Sequence, residues 1–249
     1  MNKLTPIFLA LPLFFGIAFV AESAELSPRE ILRESDEARG NLSGVTWTVD
    51  IVAQDGGGTN TRTLDVKARG FDVFARTVSP PRRAGDTLVM VDGNMWFYQP
   101  DLSKPVPISR RQKLIGKAAN GDIAATNYAD DYNVVSLSDG ENDGEACHLF
   151  DLKAKNSKTT YSKIRYWVSK KRLVGTKAEY YTATGNKLIK TAQMTFNNRV
   201  TTDRGSRAFI SRMVISDELT SRDTTTMSFS EPVFTSVSAD TFNLNLLKR

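Results

Sequence analysis

The chain has 249 residues, 33 Lys plus Arg against 28 Asp plus Glu, a net charge of +5 and 40% hydrophobic residues. A chain this long buries a full core without staples, and its charge balance excludes an acidic solvating protein while permitting an anionic partner. A single cysteine excludes an intramolecular disulfide and a cysteine-based zinc site, and a single histidine excludes any site that needs two.

The N-terminus reads as an export signal. Lys3 is its positive end, and Ile7 to Val20 carries no charge. Spanning a bilayer takes about 20 apolar residues, so this run is short for an anchor and fits a cleavable signal peptide. Ala21 and Ser23 place small residues where a signal peptidase reads, which predicts a signal over 1–23 and a mature chain over 24–249. An uncleaved anchor is the alternative. The mature chain is then soluble and exported, and periplasmic if the source has two membranes.

Ser27-Pro28-Arg29-Glu30 is a capping box with proline at the first helical position. Ile31, Leu32, Ser35 and Ala38 form a narrow apolar stripe, and Gly40 stops the helix. The period then changes to 2. Val45, Trp47, Val49 and Ile51 alternate with polar residues, Gln54 to Asn60 is a turn, and Leu64, Val66 and Ala68 alternate again. Phe71 to Val78 is a strand. Thr87 to Val91 and Met95 to Tyr98 flank Asp92-Gly93-Asn94, a short-hairpin signal. Pro100, Pro105 and Pro107 mark a loop.

Arg110 to Asp131 breaks the β pattern and reads as irregular structure with one or two short helices. Val134, Val135 and Leu137 precede a loop over Ser138 to Glu145. Cys147 to Leu152, Ile164 to Val168, and a hairpin of Leu173 to Tyr181 with Lys187 to Phe196 about Thr184-Gly185-Asn186 follow. Phe209 to Ile215 and Thr224 to Phe229 are the last clear strands, and Ala239 to Phe242 a short helix. Roughly eleven strands with few helices predict one mainly β, antiparallel domain.

No catalytic constellation stands out. Cys147 and His148 are strand neighbours facing opposite ways, so they cannot form a nucleophile pair. A Ser-His-Asp triad through His148, and with it a hydrolase, stays open, although no Gly-x-Ser-x-Gly turn is present. The acidic run Asp139 to Glu145 resembles the start of a calcium loop, but Phe150 stands where the closing glutamate belongs. No metal or cofactor is therefore predicted. Basic residues gather at Arg82-Arg83, at Lys104 to Lys117 and from Lys153 to Arg172, the last interleaved with Tyr161, Tyr166 and Trp167. That pattern is compatible with nucleic acid. Export argues against it and favours weak, transient contact with anionic headgroups or an acidic protein.

Three stretches resemble LolA-like outer-membrane lipoprotein-sorting proteins. They are Arg83-Ala84-Gly85-Asp86-Thr87-Leu88-Val89-Met90, Met95-Trp96-Phe97-Tyr98-Gln99-Pro100 with Ile108-Ser109, and Cys147-His148-Leu149-Phe150-Asp151-Leu152. Asp122, Asn127-Tyr128, Asp131-Tyr132 and the closing Met213, Ile215 and Asp217 fit the same order. The resemblance implies a single strongly curved antiparallel sheet, a half-barrel, with a few short helices covering its concave face. It also implies a non-enzymatic carrier of lipid or lipoprotein acyl chains in an apolar cavity. The implied partner is an inner-membrane transporter, of the resistance–nodulation–division type in one subgroup. An arginine that works with lid helices is also implied, and no motif assigns it a position.

Trp47, Met90, Trp96, Phe97 and Tyr98 are the candidate cavity lining. Alternation puts Trp96 and Tyr98 on one face and Met95 and Phe97 on the other. Leu114, Ile115, Ile123 and Tyr128 belong to a candidate lid over Arg110 to Tyr132. The competing function is a periplasmic adaptor that docks on a membrane transporter and carries nothing. A concave face filled by aromatics favours the adaptor, and a large continuous apolar cavity favours the carrier.

Overall fold

The computed structural model describes residues 25–56, 58–124, 126–184, 187–218 and 223–247. The predicted export signal over 1–23 and the hairpin tip at Gly185-Asn186 lie outside them. Helix α1 (Pro28–Glu37) begins as the sequence requires. The Ser27 hydroxyl accepts from the Glu30 N–H, and the Glu30 carboxylate accepts from the Ser27 N–H at 2.7 Å. Gly40, at φ +97°, turns the chain where an added Cβ would lie 2.9 Å from the Trp47 ring.

Strands β1 (Val45–Asp55), β2 (Gly58–Arg69), β3 (Asp72–Ser79), β4 (Thr87–Val91), β5 (Asn94–Tyr98) and β6 (Val106–Ile108) form a meander. Strands β7 (Lys113–Ile115) and β8 (Ala118–Ala119) make a separate small ribbon, followed by a 3-10 turn at Asn120–Asp122 and helix α2 (Tyr128–Asp131). Next come β9 (Tyr132–Asn142), β10 (Glu145–Ala154), β11 (Lys163–Ser169), β12 (Gly175–Tyr181) and β13 (Leu188–Thr195). The hairpin β14 (Asn198–Thr202) and β15 (Gly205–Phe209) precedes β16 (Arg212–Asp217) and β17 (Thr224–Phe234). Two 3-10 turns, Ala239–Phe242 and Leu244–Leu246, end the described chain.

Thirteen strands form one sheet in the order β6-β5-β4-β3-β2-β1-β17-β16-β13-β12-β11-β10-β9. Its ladders are antiparallel, and β1 closes onto β17 from Val45↔Phe234 to Gln54↔Thr224. Strands β6 and β9 are left as edges among the described residues, so the sheet is an open half-barrel. Register shifts fall at Thr46/Thr48, Thr63/Leu64, Asp151/Leu152, Trp167/Val168 and Tyr180/Tyr181. Each such bulge adds local twist, which bends the long strands into a trough.

Several boundaries differ from the sequence reading. The Ser138 to Glu145 loop is mostly strand. Strand β9 runs to Asn142 and turns through Asp143 and Gly144, both at positive φ. Cross-strand pairing with β10 overrides the weak strand propensity of its acidic residues. Phe209 to Ile215 is two strands, broken at Ile210-Ser211 where the chain leaves the β14–β15 hairpin and rejoins the sheet. Strand β17 continues past Phe229 to Phe234, through Pro232.

The inner face holds the main core. Val45, Trp47, Val49, Ile51 and Ala53 of β1 are all buried, and Leu64, Val66 and Ala68 of β2 lie beside them. Helix α1 and the 110–131 segment cover this face. On the outer face a smaller cluster joins Val89 and Phe74 to Val237, Phe242, Leu244 and Leu247 of the C-terminal tail.

Candidate functional site

The inner face has two chemically different halves. Over β1 to β5 it is aliphatic, with Ile51, Leu64, Val66, Leu88 and Met90 buried. Over β11 and β12 it carries Tyr166 and Tyr180, both 1% exposed or less. Tyr161 stacks on Tyr180 with ring centroids 3.7 Å apart. Tyr128 of α2 meets Tyr132 and Tyr166 edge-on at 5.2 and 5.1 Å. The Tyr166 and Ser35 hydroxyls are hydrogen-bonded at 2.7 Å, which ties α1 to β11.

Charges are buried within this aromatic half. Arg39 is 5% exposed and places Nη2 3.8 Å from the Met213 sulfur. Asp36 accepts from the Ala129 N–H at 2.9 Å. Burial raises its carboxyl to about 6, against the pull of that hydrogen bond and of Arg39. Asp122 accepts from the Tyr161 hydroxyl at 2.9 Å and from the Ala119 N–H at 2.8 Å. Its carboxyl is also raised by burial, opposed by Lys190, these hydrogen bonds and Arg39.

The 110–131 segment closes the trough. Its two ends are clasped by Arg110, whose Nη1 reaches Asp131 at 3.1 Å. Arg111 donates to the Thr159 carbonyl at 2.8 Å, and Asn41 to the Thr126 carbonyl at 2.8 Å. Lys117 pairs with Asp217 at 2.6 Å and Asp223 at 3.1 Å, while Lys190 donates to the Lys117 carbonyl at 2.6 Å. Gly116 takes φ +54°, and a Cβ there would lie 2.4 Å from the Ala53 Cβ, so the backbone presses directly on β1. Of the candidate lid residues, Ile123 and Tyr128 are buried on the inner face, and Leu114 and Ile115 pack partly buried against it.

The candidate lining residues separate by face. Trp47 is buried beside Phe209, ring centroids 5.7 Å apart, and Met90 is buried in the main core. Phe97 pairs with Leu88 and packs partly buried against that core. Trp96 pairs with Val89 and Tyr98 with Thr87, so both point to the outer face. Tyr98 there lines a cavity of about 410 Å³ with Phe74, Leu246 and Leu247.

Beneath the segment, beside Arg39 and Asp122, the space is about 20 Å³, enough for roughly one water. A larger cavity of about 400 Å³ opens at the β4–β6 side of the trough. Leu88, Phe97, Ile108 and Leu114 form its apolar wall, with Arg62, Arg83 and Lys113 around it. Sequence reasoning gave no site role to Arg62, Arg39, Asp36 or Asp122, although Arg62 continues the inner-facing period of β2 and Asp36 the buried stripe of α1.

Cys147 and His148 face opposite ways. The thiol contacts Thr176 Oγ1 at 3.8 Å, and the imidazole tilts over Phe150 with ring centroids 6.5 Å apart. Burial, then Lys170, lowers the His148 pKa. No cluster of three or more potential metal ligands occurs among the described residues. Tyr161, Tyr166 and Trp167 are buried and offer no stacking surface. No helix among the described residues is long and apolar enough to cross a membrane.

An open antiparallel trough with a helix and a clasped segment on its concave face is a LolA-like fold. The chain superposes on a LolA superfamily protein from Nitrosomonas europaea with TM-score 0.78 and 24% identity, over 89% of this chain and 99% of that one. A putative outer membrane lipoprotein-sorting protein domain from Vibrio parahaemolyticus gives 0.74 and 19% identity, over 89% and 98%. A DUF1329 family protein from Desulfovibrio piger gives 0.72 and 19%, over 88% and 97%. Residues 72–249 match a family model described as an uncharacterized protein family, and the chain belongs to that family. No curated protein matches it in sequence.

Proposed function

We propose that the chain is an exported, non-enzymatic periplasmic carrier that holds lipid or the acyl chains of lipoproteins against its inner face. On this reading residues 24–249 form one carrier domain. The observation that carries it is the construction of the closure. The 110–131 segment covers an apolar trough, but its β-ribbon belongs to a separate two-stranded sheet. It can lift without breaking a strand pair of the main sheet.

Each buried CH₂ contributes about 0.8 kcal/mol, so a chain of ~16 carbons is held strongly only in a dry apolar channel. The small space under the closed segment means that loading displaces the segment. Leu114 and Ile115 leave the inner face in that step, and acyl carbons take their place against Trp47, Met90 and Phe97, while Tyr128 stays with the aromatic half. Membrane contact is transient, and an inner-membrane transporter of the resistance–nodulation–division type is the proposed donor.

Native mass spectrometry of the chain purified from a periplasm without detergent, with organic extraction, tests this. A stoichiometric lipid adduct or a co-purifying acylated lipoprotein supports the carrier. A mass that stays unliganded after incubation with lipid vesicles rejects it. The filled inner face favours a second reading, a periplasmic adaptor that docks on a membrane complex. Strand β9 suits that role, as an unpaired edge exposing Val134, Val135 and Leu137.

A further inference from the structure

The cavity at the β4–β6 side joins an apolar wall to a cation that has no ion-pair partner. Arg62 of β2 pairs with Ile51 of β1 and continues the inner-facing row of Leu64, Val66 and Ala68. It is half-buried. Among the described residues its guanidinium makes no ion pair and no hydrogen bond. The nearest carboxylate is already engaged: Asp86 is 2.7 Å from Arg83 Nε and accepts from Gln99 Nε2 at 3.1 Å. Burial, then repulsion from Arg83, lowers the Arg62 pKa, and Asp86 only partly offsets them. A desolvated guanidinium beside a second cation is costly unless an anion joins it.

The anion would enter a space of about 400 Å³ that also contains Lys113, against a wall of Leu88, Phe97, Ile108 and Leu114. We infer that this cavity binds an anionic amphiphile, with its oxyanion head on Arg62 and its alkyl chain along that wall. Guanidinium matches a carboxylate or a phosphate with paired N–H donors. The apolar wall takes the first carbons of the chain, and Leu114 at the edge of the lid is the first lid residue the chain meets. The inference rests on the carrier reading and adds to it the class of head group and the direction from which a chain enters.

Isothermal titration of the purified chain with laurate, dodecyl phosphate and dodecanol, each below its micelle concentration, tests the inference. The two anions are expected to bind on the order of tenfold more tightly than the alcohol. Arg62→Gln is expected to bring the anions down to the alcohol's affinity and leave the alcohol unchanged. Because Arg62 has no partner to lose, the variant keeps its thermal midpoint. Preference for laurate points to free fatty acid, and preference for dodecyl phosphate to a phospholipid-type head. Equal binding of anion and alcohol, or an anion preference that survives Arg62→Gln, overturns the head-group assignment and leaves the carrier standing. Failure of all three to bind overturns both.

Discussion

The two halves of the inner face use different physics. The aliphatic half over β1 to β5 is held by contacts that have no direction. On the carrier reading, an acyl chain replaces one apolar neighbour there with another at little cost. The aromatic half over β11 and β12 is held by directional bonds among Ser35, Tyr166, Asp122 and Tyr161, around buried Arg39 and Asp36. Moving one member there strands the others. The proposed lid spans both halves. Leu114 lies on the aliphatic side, whereas Tyr128 and Ala129 are locked into the aromatic side. On the carrier reading, the mobile end of the lid lies near residue 114 and its anchored end at α2.

Removing the charge at the centre of the anchored half has the largest expected effect. Arg39→Met leaves Asp36 buried without its nearby cation and leaves Asp122 with Lys190 alone. Breaking such a group costs about 3–5 kcal/mol. Urea unfolding should therefore show the midpoint falling steeply. A loss below about 1 kcal/mol would mean that water reaches this half and that it is no anchor.

Asp36 makes the next test. Its folded pKa, near 6, lies above its ordinary value, so the folded state binds the proton more tightly than the unfolded one. Its stabilising contribution is full below about pH 4 and lost as pH rises through 6 to 7. The window is worth on the order of 3 kcal/mol. Asp36→Asn should flatten stability between pH 4 and 7, measured by urea midpoints across that range. A variant that tracks the parent at every pH would show that Asp36 is not the group responsible.

Gly116 probes the boundary between the halves. Gly116→Val drives a side chain into Ala53 and Thr225 and displaces the Lys117 N–H, which donates to Thr225 Oγ1 at 2.8 Å. Overpacking of this kind costs about 1–3 kcal/mol. The lid should lift from the aliphatic side, and an apolar naphthalene dye should bind more strongly than to the parent. Destabilisation with unchanged dye binding would mean that the 110–131 segment is fixed structure and no lid.

The fold was legible where period and turn chemistry agree. The capping box at Ser27, the alternation from Val45 to Ile51 and the Asp92-Gly93-Asn94 turn each report a local preference that the tertiary structure keeps. Strands β7 and β8 were not legible, because the Lys113–Ile115 and Ala118–Ala119 segments are too short to show a period. Strand β9 was misread because its polar residues have weak strand propensity and are held by pairing with β10 across the tight Asp143-Gly144 turn. The site was half visible. Alternation separated Phe97 from Trp96 and Tyr98, and the ladder of β4 with β5 is what places Phe97 on the inner face. Arg39 stands four residues beyond Ser35, just past the end of α1, and Arg62 two before Leu64 on β2. Both lie on the inner face by the same spacing, and only their charge argued for solvent.

The smallest expected effect decides whether the anchored half acts through direction or merely through bulk. Tyr166→Phe keeps the ring and its packing against Tyr128 but removes the hydroxyl that meets Ser35. The Ser35 hydroxyl is then left buried without that partner. Such a group costs about 1–3 kcal/mol when unsatisfied, whereas the lost ring volume is negligible. If direction holds the anchor, the variant loses that stability and binds apolar dye no better than the parent, because the mobile end of the lid is untouched. Ser35→Ala combined with Tyr166→Phe should then recover part of the loss, since neither partner is stranded. A double variant no more stable than Tyr166→Phe would show that the hydroxyl pair contributes little, and that aromatic packing alone fastens α1 to the sheet.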